Sequence, residues 1–125
     1  MKGLAINTEN LMRFKDFKEP TLESLQKEVG GCIEVVHPKY LLQGFCMVVN
    51  DEGLLMGLPL NRFCSVLYGT PEHGQPIVGN GVILKEGFVD GERDFVEMTE
   101  KDQLTLVALM VSFGNVVLRP ESEVS

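Results

Sequence analysis

Apolar residues fall in short alternating runs divided by turn signals, with one long, nearly continuous run close to the end. Leu4 and Ile6 alternate with smaller residues over Met1 to Asn7, the period of a strand. The following stretch sets Leu11, Phe14 and Phe17 among Arg13, Lys15 and Lys18, a spacing open to either strand or helix. Glu19-Pro20 interrupts it. Thr21 is placed as an N-cap, and Leu22, Leu25 and Val29 share one face of a short helix. Gly30-Gly31 closes that helix, because glycine accepts the left-handed conformation at a helix C-terminus. Cys32 to His37 predicts a strand with Ile33, Val35 and Val36 inward, stopped by Pro38.

Phe45 to Asn50 predicts another strand. Asn50-Asp51-Glu52-Gly53 is turn chemistry, and Leu54 to Met56 is expected to return as the second arm of a hairpin. Gly57-Leu58-Pro59 then breaks the chain, and Pro59 suits the first turn of a helix over about Leu60 to Leu67, ended by Gly69. A loop from Gly69 to Pro76 leads to a strand over Ile77 to Leu84, in which Gly79-Asn80-Gly81 marks a bulge or tight bend. Phe88 and Phe95-Val96 form a short strand pair about Asp90-Gly91. Thr99 and Asp102 have capping-box spacing, with the shorter acid, ahead of a helix over Leu104 to Phe113. That helix is apolar nearly all round, which predicts packing on two sides. Gly114 is read as its end and Val116 to Leu118 as a last strand. The sum is one α+β domain over residues 1–125: a mostly antiparallel sheet, two short helices and an apolar C-terminal helix.

A chain of 125 residues buries roughly two-thirds of its unfolded surface, enough for one core. With 44% hydrophobic and 23% charged residues, it falls outside the composition of disordered chains. No apolar run reaches the ~18 to 20 residues that cross a bilayer, and no apolar segment of signal-peptide type follows Lys2. Cys32, Cys46 and Cys64 are odd in number and widely spaced, which fits reduced thiols and a cytoplasmic setting better than a disulfide framework.

The net charge is −7, and its distribution matters more than its sum. From Glu86 onward nine carboxylates face three cations, Arg93, Lys101 and Arg119; the rest is near balance at nine against eight. Phosphate backbones repel such a chain at long range, so direct nucleic-acid binding is not expected.

Candidate chemistry is sparse. His37 and His73 lie far apart, outside any metal-ligand spacing, and no metal or cofactor is expected. Cys64, two residues after Arg62, is the best placed of the thiols for reactivity, while Cys32 and Cys46 sit among apolar residues as core. No G-x-S-x-G elbow occurs, and Gly79-x-Gly81 is too short for a phosphate-binding fingerprint. These readings point away from an enzyme. The segment Gly57 to Arg62 does have a physical case for binding. A glycine turn feeds a helix N-terminus, whose free N–H groups and dipole favour anions, and Asn61 and Arg62 add donors there. Asn50 and Glu52, on the neighbouring turn, are candidates for a hydrogen bond to a base or ribose. The local alternative is that Asn61 caps the helix and Arg62 pairs with Glu52 or Asp51.

Four segments occur in order: Val29 to Val36 (VGGCIEVV), Val48 to Gly53 (VVNDEG), Gly57 to Arg62 (GLPLNR) and Pro76 to Ile83 (PIVGNGVI). This series resembles a domain-of-unknown-function family, DUF3846, found in phages, plasmids and gut-bacterial mobile elements, over roughly Leu22 to Asp102. The resemblance implies no activity and no catalytic residues. It implies a setting, inside a host cell, in which small acidic proteins without catalytic motifs often antagonise host defence. Two expectations follow. The first is a non-enzymatic homo-oligomeric binder that sequesters a nucleotide-derived signal through Asn50, Glu52, Asn61 and Arg62. The second is a protein inhibitor that sets its acidic C-terminal third against a basic nuclease or effector.

Overall fold

The computed structural model describes residues 1–117, with side chains to Gly114. In chain order the elements are β1 (Lys2–Ile6), β2 (Met12–Asp16), α1 (Thr21–Val29), β3 (Ile33–Val36), β4 (Phe45–Asn50), α2 (Arg62–Tyr68), β5 (Gly81–Val89), β6 (Glu92–Val96) and α3 (Glu100–Val117). The strands make one six-stranded sheet in the order β2-β1-β5-β4-β3, with β6 also on β5. Every pairing is antiparallel. The expected α+β class and antiparallel sheet are both present.

The period-2 alternation of the strands divides the core between two faces. Leu4, Ile6, Phe45, Met47, Val49 and Ile83 point to one face, where Phe63, Cys64 and Leu67 of α2 and Leu106 and Met110 of α3 cover them. Ala5, Cys46, Val48, Val82 and Leu84 point to the other, under Leu25 and Val29 of α1 and Phe17. Central β4 is buried along its whole length, while edge strand β3 is half-buried at its ends and exposed between them.

The terminal signals act largely as expected. Gly30 and Gly69 close α1 and α2 in the left-handed conformation. Asp90 and Gly91, both at positive φ, turn β5 into β6 with Val89 opposite Glu92. At the start of α3 the Thr99 N–H donates to Asp102 Oδ2 at 2.9 Å, and the Asp102 N–H donates to Thr99 Oγ1 at 3.1 Å. These bonds, with the Lys85 ammonium at 3.2 Å, hold the Asp102 carboxyl below the usual range.

Several expectations are corrected. Thr21 is the first residue of α1 rather than its cap; Pro20 holds the cap position, and the Thr21 hydroxyl donates to Glu19. Leu22 is exposed, leaving Leu25 and Val29 to anchor the helix. Val35 is 39% exposed because β3 is an edge whose outer faces are only partly covered. Leu54 to Met56 forms no hairpin arm. The Asn50 carboxamide accepts from the Glu52 N–H, and the Met56 and Leu58 N–H groups donate to Glu52 O and Gly53 O, coiling the segment into successive turns.

Leu60 bridges to Val78 instead of entering α2, which starts one turn later than its proline implied. The strand expected from Ile77 begins only at Gly81, because Ile77 and Gly79 are bonded to the segment ahead of α2. Gly114 does not end α3, and Val116 and Val117 are helical; Leu118 lies outside the described residues. As expected, α3 packs on two sides: Leu106 and Met110 are buried on the sheet and the helix also lies against α2, while Leu104, Val107 and Val111 remain exposed. Among the described residues no helix is long and apolar enough to cross a membrane.

Candidate functional site

The four residues expected to bind a ligand separate into two structural and two exposed groups. Asn61 is 0% exposed. Its Oδ1 accepts from the Cys64 N–H at 3.0 Å, the N-cap bond of α2, while its Nδ2 donates to Ile6 O at 3.0 Å and Gly79 O at 2.9 Å. All its polar capacity is spent tying α2 to β1 and to the bend before β5. The local alternative, Asn61 as a cap, is the arrangement found. Arg62 is exposed beside it and makes no ion pair among the described residues, with neither Glu52 nor Asp51 as its partner. The cap position of α2 is thus filled from within the chain.

Asn50, 6% exposed, is likewise structural. Its Nδ2 donates to Val29 O at 3.1 Å and its Oδ1 accepts from the Glu52 N–H at 2.8 Å, so it joins the end of α1 to the turn after β4. Glu52 is exposed in that turn.

Asn50 and Glu52 do meet at a cavity, one that Asn61 and Arg62 do not reach. It has a volume of about 560 Å³. Val36 of β3, Val49 of β4, Tyr68 of α2 and Ile77 give it an apolar floor, Gly74 to Val78 form one wall, and Asn50 to Leu55 form the other. Glu34, Asp51 and Glu52 line it, and among the described residues no lysine, arginine or histidine does. Leu54 and Leu55 stand at its lip, Leu55 89% exposed. The space is large enough for several side chains, and its field favours positive charge.

The wall is held by named bonds. Ser65 Oγ donates to Ile77 O at 3.0 Å and accepts from the Ile77 N–H at 2.9 Å, fixing the loop to α2. Thr70 Oγ1 donates to Gly74 O at 2.6 Å. At Gly53 an added Cβ would stand 2.7 Å from Val78 Cγ2, so only glycine lets the two walls approach this closely.

The thiols differ from expectation. Cys64 is fully buried, and burial pushes its thiol well above the ordinary range. Cys46 is buried too, and burial, with the Glu86 carboxylate adding to it, raises its thiol to about 12. Both hold the proton that a nucleophile must lose. Cys32, expected in the core, is exposed, because it precedes the edge strand rather than a central one. The histidines lie closer than their spacing implied: His73 Nε2 is 3.2 Å from His37 O, and His37 Nε2 is 2.7 Å from Glu86 Oε1. Among the described residues no three of His, Cys, Asp and Glu converge as a metal site.

Glu34, Asp51 and the 74–78 wall were missed from sequence. The turn at Asn50 to Gly53 was visible, but nothing in the spacing of Gly69 to Pro76 shows that this loop returns across β3 and β4.

A model of the domain of unknown function DUF3846 matches residues 1–110. The chain belongs to the DUF3846 family. The match is wider than the segments that first resembled it, taking in β1 and β2 and reaching Met110 of α3. No curated protein and no solved structure matches the chain. Within this DUF3846 chain the four segments have structural roles in common: Val29 to Val36 and Val48 to Gly53 supply β3, β4 and the cavity turn, while Gly57 to Arg62 and Pro76 to Ile83 are joined by the Leu60–Val78 bridge.

Proposed function

We propose that this protein is a non-enzymatic binding protein whose cavity between β3, β4 and the 74–78 loop takes a positively charged segment of a protein partner. One observation carries the reading: an apolar floor is lined by three carboxylates and, among the described residues, no cation. A lysine or arginine side chain laid there sets its methylenes on Val36, Val49 and Ile77 and its charge among Glu34, Asp51 and Glu52. Leu54 and Leu55 add apolar contact at the lip. Of the two functions expected from sequence, this supports the protein inhibitor, with a basic nuclease or effector as a partner of suitable chemistry. It moves the acidic surface from the C-terminal third to this cavity.

The nucleotide reading finds less support here. Phosphates in this cavity face carboxylates, and Asn61, proposed as a donor to them, has no free polar atom. The reading keeps homo-oligomer formation and assigns it to the exposed apolar stripe of α3, Leu104, Val107 and Val111 at helical spacing, of which Val107 and Val111 border a groove with Met12, Arg13 and Phe14.

The test is a thermal-shift series with synthetic peptides alternating lysine and valine, set against linear, cyclic and ADP-ribose-derived nucleotides. The proposal expects the peptides to raise Tm progressively with the logarithm of their concentration and the nucleotides to leave it unchanged. A shift with a nucleotide and none with the peptides would overturn it.

A further inference from the structure

The cavity is bordered by a strand whose outer backbone has no partner among the described residues. In an antiparallel ladder both backbone groups of a residue point the same way, and successive residues alternate between partner and open side. The Asp51 N–H donates to Cys32 O at 2.8 Å, and the register pairs Glu34 with Val49 and Val36 with Met47. Cys32, Glu34 and Val36 therefore direct their N–H and C=O groups at β4, and Ile33 and Val35 direct theirs outward. No loop or turn hydrogen bond among the described residues uses those outward groups. β3 ends the sheet. The opposite edge, β2, carries two cations, Arg13 and Lys15, of the kind that commonly keep an edge from pairing; β3 carries one charge, Glu34, which lines the cavity, and exposes Val35 beside it.

We infer that β3 captures its partner by strand addition: an extended segment pairs with the outward groups of Ile33 and Val35 and sends alternate side chains into the acidic cavity. This rests on the binding role proposed above and names its partner's chemistry. Residues across from one another in a sheet point to the same face. Side chains opposite Glu34 and Val36 thus project to the cavity face, where Glu34, Asp51 and Glu52 select lysine or arginine. Those opposite Ile33 and Val35 project to the other face, where the exposed Val35 surface selects an apolar residue. The motif read by this edge is basic and apolar in alternation. A second copy of β3 fits less well, since pairing would bring two acidic cavities to one two-fold axis. Main-chain pairing supplies affinity and the alternate pockets supply selection, the division of labour in strand-addition recognition.

The probe is a short peptide alternating lysine and valine, with a counterpart N-methylated on its pairing edge. Amide exchange by NMR reads the edge directly. Ile33 and Val35 amides exchange fast in the free protein and become at least tenfold slower with the peptide, whereas Glu34 and Val36 are slow throughout. The N-methylated peptide binds at least tenfold more weakly. Val35→Pro removes only an outward N–H, a change edge strands accommodate, and abolishes binding while Tm stays close to that of the parent. Slow exchange at Val35 in the free protein, varying with protein concentration, would show the edge paired with a second copy and overturn the inference. Where Val35→Pro and the N-methylated peptide keep full affinity but Asp51→Asn with Glu52→Gln weakens it, strand addition falls and the cavity reading stands. No binding by either peptide overturns both.

Discussion

Replacing Asn61 by alanine separates a structural group from a ligand-binding one. The substitution removes three buried hydrogen bonds at once: the cap to Cys64 N and the donations to Ile6 O and Gly79 O. Loss of an N-cap side chain costs about 1 kcal/mol. A buried backbone group left without its partner costs about 1–3 kcal/mol, and water has no path to a site that is 0% exposed. Counting the cap and one to two stranded carbonyls, Asn61→Ala should destabilise the fold by about 3–5 kcal/mol. That is a large share of the ~5–15 kcal/mol typical of a domain. Urea denaturation followed by circular dichroism measures it, with unchanged m and a lowered midpoint. Asn61→Asp restores the cap oxygen but sets a carboxylate against two carbonyl oxygens, so it should not rescue. A loss below about 1 kcal/mol for Asn61→Ala would refute the assignment and return Asn61 to the candidate ligand groups.

Three further outcomes are expected. Under native conditions iodoacetamide should modify one thiol per chain, Cys32, with Cys46 and Cys64 reacting only after unfolding; mass spectrometry of the labelled peptides checks it. The Asp102 carboxyl is held below its ordinary value of 3.8, chiefly by the Thr99 N–H, so its stabilisation is complete above that value and lost as pH falls through the lower folded one. Asp102→Asn should cost about 1 kcal/mol at neutral pH, and less in acid well below 3.8, in urea titrations under both conditions. Leu104→Glu with Val111→Glu on the outer face of α3 should leave Tm nearly unchanged and convert any dimer to monomer in light scattering.

Much of the sheet was legible because its signals are local. The alternation in β1, the apolar run of β4, the Asp90-Gly91 turn and the Thr99–Asp102 box each depend on a few neighbouring residues. What misled was a competing local side-chain bond in one place and long-range contact elsewhere. Leu54 to Met56 has strand composition, but the Asn50 side chain captures the Glu52 N–H and turns the chain before a second arm can pair. The Gly57 to Arg62 segment has the composition of an anion site, yet contact with Ile6 and Gly79, 55 and 18 residues away, fills Asn61 from inside. The cavity was hidden for the same reason. Glu34, Asp51 and Ile77 share it only because the order β5-β4-β3 and the Ser65–Ile77 bonds bring the 74–78 loop across two strands. Apolar positions on α3 announced a helix, but not which of its sides the single sheet beneath would leave open.

The central claim, that carboxylates around an apolar cavity select a cationic protein segment, is tested most directly by isothermal titration of the lysine–valine peptide into the parent protein and into the variant Glu34→Gln, Asp51→Asn, Glu52→Gln, at low and high salt. Three exposed charge contacts at about 0.5 kcal/mol each predict about a tenfold loss of affinity in the variant. The salt dependence of the parent should largely disappear with them. Equal affinity for the two proteins, with the same response to salt, would contradict it.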